Sequence, residues 1–405
     1  MPLRTLAPAG TVIRPGELVG WLLGATFTRG DADALLSLLH ATYGGASDIF
    51  LLSSGRAAMT IILREIAEMS GGRDEVIVPG YTCYSVAASA VRAGLKVRPV
   101  DVDPATLDFR PDALERAHTD RVAAIVTANL YGIPNDLPRW EAFARERSTA
   151  LVDDAAQALH ARIDGRYAGT FGDAGLFSFD KGKNVTTIQG GVLLSRNRCL
   201  SQRIAAQLSA VSPAPAGRVA IETVKLVLYT LFLRPSAYGI PNRVLTLGET
   251  PFETDYPTHL YSPRLALMAT RLLRRIDGIT SDRIERAERI RAALPHSPSF
   301  TLPRADHGDP VYLRFPILLR GREVRDRALA ALRRAGIGAS ASYPKALIDV
   351  PQIAPHLAES TEDTPGARAI SEGILTLPTH SFVRESDVRR MADILATILG
   401  TDRRE

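Results

Sequence analysis

Val152-Asp153-Asp154-Ala155-Ala156-Gln157 and, further along the chain, Phe177-Ser178-Phe179-Asp180-Lys181-Gly182-Lys183-Asn184 are the runs on which the fold turns. The first continues the apolar stretch Thr149-Ala150-Leu151-Val152, which reads as a strand; the second leads into a Gly190-Gly191 turn. A carboxylate at the end of an apolar strand, followed by a lysine on a loop, is what pyridoxal phosphate asks of a protein. The lysine amine forms a Schiff base with the cofactor aldehyde, and the carboxylate keeps the pyridine nitrogen protonated so that the ring accepts electrons. Taken singly, a buried aspartate is commonly a cap or half of an ion pair, and a lysine is commonly solvated surface. The pair with its flanking residues points to a cofactor site.

Around that pair the chain alternates between strand and helix patterns. Glu75-Val76-Ile77-Val78, Val97-Arg98-Pro99-Val100, Ala123-Ala124-Ile125-Val126 and Thr149-Ala150-Leu151-Val152 are short apolar runs bounded by turn residues or helical stretches, and residues 110–118 and 137–147 read as crossover helices. This rhythm predicts an α/β protein with a mostly parallel sheet covered on both faces. Ligands of such sheets bind beyond the carboxyl ends of the strands, where Asp154 falls.

After Gly191 the rhythm changes. Residues 205–260, rich in Pro and Gly, read as an extended connection around a hydrophobic helix at about 219–233, which contains Val224, Leu226, Val227, Leu228, Leu231, Phe232 and Leu233. Glu222, Lys225 and Arg234 interrupt that segment, and it is short of the roughly 20 apolar residues a membrane span needs, so it reads as packed against the body or a partner subunit. Contact with a membrane surface is the lesser alternative. A long helix is expected over 264–293 with Leu265, Met268, Leu272, Ile276 and Ile284 inward, then a strand from Val311 to Ile317 and a terminal helix over 385–399. The expected division is a large cofactor-binding domain over 1–260 and a smaller α/β domain over 261–405.

Composition narrows the function classes. With 405 residues, 45% hydrophobic and 23% charged, the chain can bury a large core. Its 49 basic against 44 acidic residues give +5, scattered without a basic block, which argues against nucleic-acid binding. Two cysteines, Cys83 and Cys199, make no disulfide framework, and the eight histidines show no ligand spacing, so no metal site is expected. The start of the chain carries no secretory pattern, and a reducing cytoplasm is the expected location.

The sequence resembles the fold-type I pyridoxal-phosphate enzymes, specifically the DegT/DnrJ/EryC1/StrS group of sugar aminotransferases. The likeness is carried, in order, by Ser53-Ser54-Gly55-Arg56-Ala57-Ala58, Val76-Ile77-Val78-Pro79-Gly80-Tyr81-Thr82, Asn129-Leu130-Tyr131-Gly132, Asp153-Asp154-Ala155-Ala156-Gln157, Gly172-Asp173-Ala174-Gly175-Leu176-Phe177-Ser178-Phe179, Lys183-Asn184 and Leu377-Pro378-Thr379-His380. The resemblance implies that Lys183, rather than its neighbour Lys181, attaches the cofactor and then serves as the proton-transfer base. It implies that Asp154 pairs with the pyridinium nitrogen and Gln157 with the phenolic oxygen. Gly55, Arg56 and Ala57, at the start of an apolar helix, and Ser178 would receive the phosphate, as a helix N-terminus favours. The implied reaction moves an amino group from glutamate or glutamine to a keto-sugar carried on a nucleotide, within a homodimer.

Three positions depart from the family pattern. Cys83 stands where an aromatic residue stacks on the pyridine ring, a role its sulfur, Tyr81 or Tyr84 would have to fill. Ser262-Pro263-Arg264 replaces a triplet whose Asn reaches the partner's phosphate. Ser342-Tyr343-Pro344 replaces His-Tyr-Pro. The altered pocket leaves room for other readings: a non-sugar ketone as acceptor, a sugar dehydration, which the retained Lys183 opposes, or a silent scaffold homologue.

Overall fold

In the computed structural model, described over residues 4–27, 32–45, 47–239, 251–295 and 297–400, helices α1 (Pro15–Phe27) and α2 (Ala32–Leu39) precede an alternating unit. That unit runs β1 (Asp48–Leu52), α3 (Gly55–Met69), β2 (Glu75–Pro79), α4 (Tyr84–Arg92), β3 (Lys96–Val100), α5 (Pro111–Ala117), β4 (Val122–Ala128), α6 (Leu137–Glu146) and β5 (Ala150–Asp154). A small hairpin, β6 (Arg162–Ile163) and β7 (Arg166–Tyr167), comes before β8 (Ala174–Ser178) and β9 (Gly191–Ser195). The large sheet has the order β1-β9-β8-β5-β4-β2-β3. Strands β8, β5, β4, β2 and β3 run parallel to one another, whereas β9 is antiparallel to both β8 and β1. Every residue of β2, β4, β8 and β9 is buried, as runs that are apolar on both faces require when helices cover both sides of a sheet. The crossover helices start on local signals: Pro111 opens α5, and the Asp136 side chain caps α6 by accepting from the Arg139 N–H.

Beyond β9 come α7 (Arg198–Ser209), α8 (Ala216–Phe232), α9 (Pro263–Leu273) and α10 (Ile276–Ala293). The C-terminal part adds β10 (Phe300–Thr301), β11 (Arg314–Leu319), α11 (Arg322–Arg334), α12 (Pro365–Gly373), β12 (Ile374–Pro378) and α13 (Glu385–Leu399), with an antiparallel sheet in the order β10-β11-β12.

Two expectations are corrected. The helix expected over 264–293 is two helices with a turn at Arg274-Arg275, because α9 packs on α1 and α2 while α10 packs on β11 and α13. Leu265, Met268, Leu272 and Ile276 are buried, but Ile284 is exposed; the inward face of α10 is Ile279, Arg283, Ala287 and Ile290. The strand expected from Val311 begins at Arg314, since Tyr312 has φ 42°, a left-handed conformation that no strand accommodates.

The stretch read as a connection holds more structure than expected. It completes α7, forms α8 and returns beside β1, where the Ser53 N–H donates to the His259 carbonyl at 2.9 Å; residues 240–250 of it lie outside the described residues. Helix α8 buries Leu226, Tyr229 and Thr230, with Leu233 just beyond it, and leaves Ile221, Val224, Leu228 and Leu231 exposed on its other side. Among the described residues no helix is long and apolar enough to cross a membrane.

The N-terminal segment was not anticipated as a structural element. It forms a strap that joins the C-terminal part to the Lys183 loop. The Leu6 N–H donates to the Gly336 carbonyl (2.8 Å), the Ala7 carbonyl receives His380 Nε2 (3.0 Å), and the Gly10 carbonyl receives the Arg283 guanidinium (2.7 Å). Thr11 Oγ1 then sits 2.7 and 2.8 Å from the carbonyl oxygens of Lys183 and Asn184.

Candidate functional site

Strands β5 and β8 are parallel and adjacent, so Asp154 and Ser178 emerge at the same edge of the sheet. Successive strand residues face opposite ways, and the two aspartates divide accordingly. Asp153 is fully buried and accepts from Asn129 Nδ2 (2.8 Å), the Gly169 N–H (2.6 Å) and the Phe171 N–H (3.3 Å), which fixes neighbouring backbone. Asp154 lines the cleft. Its Oδ1 accepts the Ala156 N–H at 2.8 Å; burial pushes its pKa up, opposed by that hydrogen bond and by the Lys183 charge. A carboxylate so placed gains from a cation delivered into the cleft.

Lys183 lines the same cleft, half-buried, on the loop between β8 and β9. The loop is held by the Phe179 N–H on the Gly190 carbonyl (2.8 Å), the Thr187 N–H on the Phe179 carbonyl (2.9 Å), and Thr11 of the strap. Lys181 also borders the cleft but is exposed. The Lys183 charge opposes the rise in the Asp154 pKa.

Beside the end of the loop, where Ser54 bridges to Gly190, Ser54 caps α3: its Oγ accepts the Ala57 N–H at 3.1 Å. Ala57 is therefore buried behind the cap and stands outside the cleft lining, whereas Gly55 and Arg56 are part of it. A Cβ on Gly55 would meet Ser178 Cβ at 3.1 Å and Oγ at 3.3 Å, so glycine is what lets the Ser178 hydroxyl lie against the helix start. Backbone amides at a helix N-terminus beside a hydroxyl form an anion cradle. Arg56 lies 4.7 Å from the centre of the Tyr256 ring and pairs with Glu253 at 3.4 Å. An anion cradle, a half-buried carboxylate and an amine around one cleft fit pyridoxal phosphate.

The remaining wall is a hydrogen-bonded group. Gln157 Oε1 accepts the Tyr131 N–H (3.1 Å) and its Nε2 donates to the Tyr343 hydroxyl (3.3 Å). The Tyr131 hydroxyl donates to the Ser342 carbonyl (2.5 Å) and lies 3.0 Å from that of Tyr81. Cys83 borders the cleft, its sulfur accepting from Ser85 Oγ at 2.9 Å. Tyr81 and Tyr84, weighed above as substitutes for the missing aromatic, do not border it: Tyr81 is buried behind Tyr131, and the Tyr84 hydroxyl is engaged by the backbone of Lys345. Ser342 borders the cleft, but Ser262 and Arg264 stand apart from it, Arg264 lying 5.9 Å from the Trp21 ring centre.

Several lining residues escaped the sequence reading. Pro8 and Ala9 come from the strap, Arg218 from the first turn of α8, Tyr256 from the return to β1, and Arg314 from the start of β11. Arg218 reaches Gln189 Oε1 (3.1 Å) and Glu222 (3.0 Å), while the Tyr256 hydroxyl meets Thr60 Oγ1 (2.5 Å) and Ser89 Oγ (3.1 Å). Each comes from a segment distant in sequence from the motifs that flank the cleft.

Residues 17–219 and 263–396 match the DegT/DnrJ/EryC1/StrS aminotransferase family. The chain is 40% identical over 151 residues to L-glutamine:2-deoxy-scyllo-inosose aminotransferase from Micromonospora echinospora, covering 37% of this chain and 36% of that one. It is 33% identical over 181 residues to UDP-N-acetyl-3-dehydro-alpha-D-glucosamine 3-aminotransferase from Acidithiobacillus ferrooxidans, covering 44% and 48%. The matched part spans less than half the length of these relatives. Among solved structures, Helicobacter pylori PseC, an aminotransferase involved in the biosynthesis of pseudaminic acid, superposes with a TM-score of 0.78 at 17% identity, over 98% of this chain and 100% of that one, a likeness of fold. The family match runs through the large sheet and both of the C-terminal strands β11 and β12, omitting most of α8 and the return that follows it, and by it the chain belongs to the DegT/DnrJ/EryC1/StrS family of pyridoxal-phosphate-dependent aminotransferases.

Proposed function

We propose that this protein transfers an amino group from an amino acid, glutamate or glutamine, to a keto-sugar, with Lys183 as the residue that holds the cofactor. The observation that carries the reading is the convergence of Asp154 and Lys183 on one cleft that the N-terminus of α3 also lines. Bound there, pyridoxal phosphate supplies an electron sink that makes the C–H bond beside the substrate nitrogen acidic. Asp154 would hold the ring nitrogen in its cationic form. Gly55, Arg56 and Ser178 would hold the phosphate, and Gln157, oriented by Tyr131 and Tyr343, would hold the ring's oxygen edge. Lys183 Nζ, once displaced by the donor amine, would carry the proton from the donor carbon and later deliver one to the acceptor carbon. Cys83 would lie beside the ring.

A nucleotide-linked keto-sugar is the acceptor favoured by the family resemblance and by the Acidithiobacillus relative. The Micromonospora relative, named for a cyclic polyol ketone, supports a second reading in which the acceptor carries no nucleotide. Absorbance spectroscopy tests the core of the proposal: added pyridoxal phosphate should give a visible band that Lys183→Ala abolishes, and glutamate or glutamine should convert it. No conversion with any amino donor would exclude an aminotransferase. Mass spectrometry of reactions with nucleotide-linked keto-sugars and keto-cyclitols would separate the two acceptors. The reading includes a homodimer, for which sedimentation is the test; a fully active monomer would exclude it.

A further inference from the structure

Asp154 has a counterpart on the cleft wall, Asp180, the other acidic residue among those that line it. Asp180 opens the turn Asp180-Lys181-Gly182-Lys183, which is closed by the Lys183 N–H on the Asp180 carbonyl at 3.2 Å and carries Gly182 at φ 86° in its third place. This is the pattern of a type II β-turn, whose end residues have Cα atoms within about 7 Å of each other. Asp180 and Lys183 are those ends, and both border the cleft. The turn starts from a fixed point, because the Asp180 N–H donates to Ser178 Oγ at 3.3 Å and Ser178 ends the fully buried β8. One oxygen of the Asp180 carboxylate serves the turn itself: Oδ1 accepts the Lys181 N–H at 2.8 Å. The other, Oδ2, has no partner among the described residues. The side chain is open to the cleft, yet the walls crowd it. Burial pushes its pKa up, opposed first by the Lys183 charge, then by the Lys181 N–H and the charges of Lys181 and Arg56. From the other elements, Asp154 of β5 feels the same Lys183 charge, and Tyr229 of α8 feels that of Asp180.

We propose that Asp180 is a positioning residue for the released Lys183 amine, pairing with Nζ while the lysine carries a proton between the donor carbon and the cofactor. This rests on the reading of Lys183 as the lysine that holds the cofactor, and deepens it. Displaced by the donor nitrogen, Nζ is a neutral amine. The donor C–H bond then breaks, its proton goes to Nζ and its electron pair to the cofactor ring. Nζ, now an ammonium, gives one proton to the cofactor carbon it had held, so the lysine ends as it began. In that interval an ammonium stands in a crowded cleft, where an unpaired charge is costly and a carboxylate beside it offsets the cost. Asp154 is engaged by the ring nitrogen in this reading, which leaves Asp180 to receive Nζ. A charge-assisted hydrogen bond formed only then speeds proton removal without holding the donor more tightly.

The test compares the cofactor-loaded wild type with Asp180→Asn, which keeps an acceptor for the Lys181 N–H and so spares the turn, and with Asp180→Glu, which keeps the charge. The pH midpoint of the visible cofactor band reports the protonation of the nitrogen joining Lys183 to the cofactor. A carboxylate nearby favours the protonated form, so the midpoint should fall by about one pH unit or more in the Asn variant and recover in the Glu variant. Stopped-flow absorbance then follows whichever of glutamate and glutamine converts the wild type. Conversion should be about tenfold slower in the Asn variant at an unchanged half-saturating donor concentration, with a larger isotope effect when the donor α-carbon carries deuterium. Where the wild type converts a donor, both changes are required, and an Asn variant that matches it in midpoint or in rate overturns the proposal. If no amino donor converts the wild type, the aminotransferase reading fails by itself, and the midpoint alone decides whether Asp180 pairs with Lys183. A band that survives Lys183→Ala would sink the underlying reading, whereas a band that needs Lys183 but is indifferent to Asp180 would sink this proposal alone.

Discussion

His380 offers a sharp test of how the strap is held. Its ring is buried, Nε2 donates to the Ala7 carbonyl at 3.0 Å, and Nδ1 has no partner, so the neutral tautomer with its proton on Nε2 suits the site. Burial, with Arg283, Arg286 and Arg4 nearby, pulls the imidazole pKa down from 6.5 to about 4. Between those values the unfolded chain binds a proton that the folded protein does not, so stability is intact above pH 6.5 and falls as the pH drops toward 4. Linkage across that interval amounts to about 3 kcal/mol in full, of which about 2 kcal/mol has been lost by pH 5. Urea unfolding of the wild type and of His380→Gln, whose amide can still donate to Ala7, should be compared at pH 7.5 and pH 5. The wild type should lose about 2 kcal/mol more than the variant over that interval. Other titrating groups contribute equally to both proteins, so the difference isolates this ring. Equal losses in the two proteins would refute the argument. Because Pro8 and Ala9 border the cleft, the acid-weakened strap should also release the cofactor more readily in the wild type.

Other outcomes follow from the same geometry. Asp154→Asn should retain the cofactor band but slow conversion by glutamate roughly 10²-fold or more in stopped-flow absorbance, since the charge that stabilises the cationic ring is gone. Gly55→Val forces a side chain onto Ser178 and should raise the cofactor dissociation constant about tenfold, an overpacking cost of roughly 1–3 kcal/mol, measured by fluorescence titration. Arg283→Met leaves the buried carbonyls of Gly10 and Leu313 without this donor and should cost about 2–4 kcal/mol in denaturant unfolding. On α8, Leu226→Ala should cost about 2–5 kcal/mol, whereas Ile221→Ser, on the exposed side, should stay within about 0.5 kcal/mol.

What the sequence disclosed depended on whether a feature was local. Strands β2 to β5 and helices α5 and α6 were readable because each carries its own punctuation: an apolar run of strand length, a proline at the helix start, a capping aspartate. That Asp154, Gln157, Ser178 and Lys183 would meet at one cleft was legible because they sit in runs attached to the ends of β5 and β8. The break between α9 and α10 was invisible, since Arg274-Arg275 is compatible with helix and only the different surfaces covered by the two halves require a turn. Ile284 was misplaced for the same reason: its spacing fits an inward stripe that the real α10 does not continue. Tyr256, Arg218 and Arg314 reach the cleft from segments far apart in sequence, and nothing adjacent to them records that destination. Arg283 is the opposite case, a charge that composition assigns to the surface but whose bonds to backbone carbonyls and hydroxyls keep it fully buried.

The reversal of β9 has a consequence for the lysine. In a purely parallel sheet the chain leaving β8 would have to travel to the far edge before re-entering, and a loop at the carboxyl edge would have one core anchor. Here β9 returns directly beside β8, so both ends of the Lys183 segment are clamped in fully buried strands. If Lys183 holds the cofactor as proposed, a substrate that displaces its amine would displace only a four-carbon tether, while the backbone stays clamped. Nζ would then stay tethered beside the reacting carbon, at an effective concentration no free base in solution could reach.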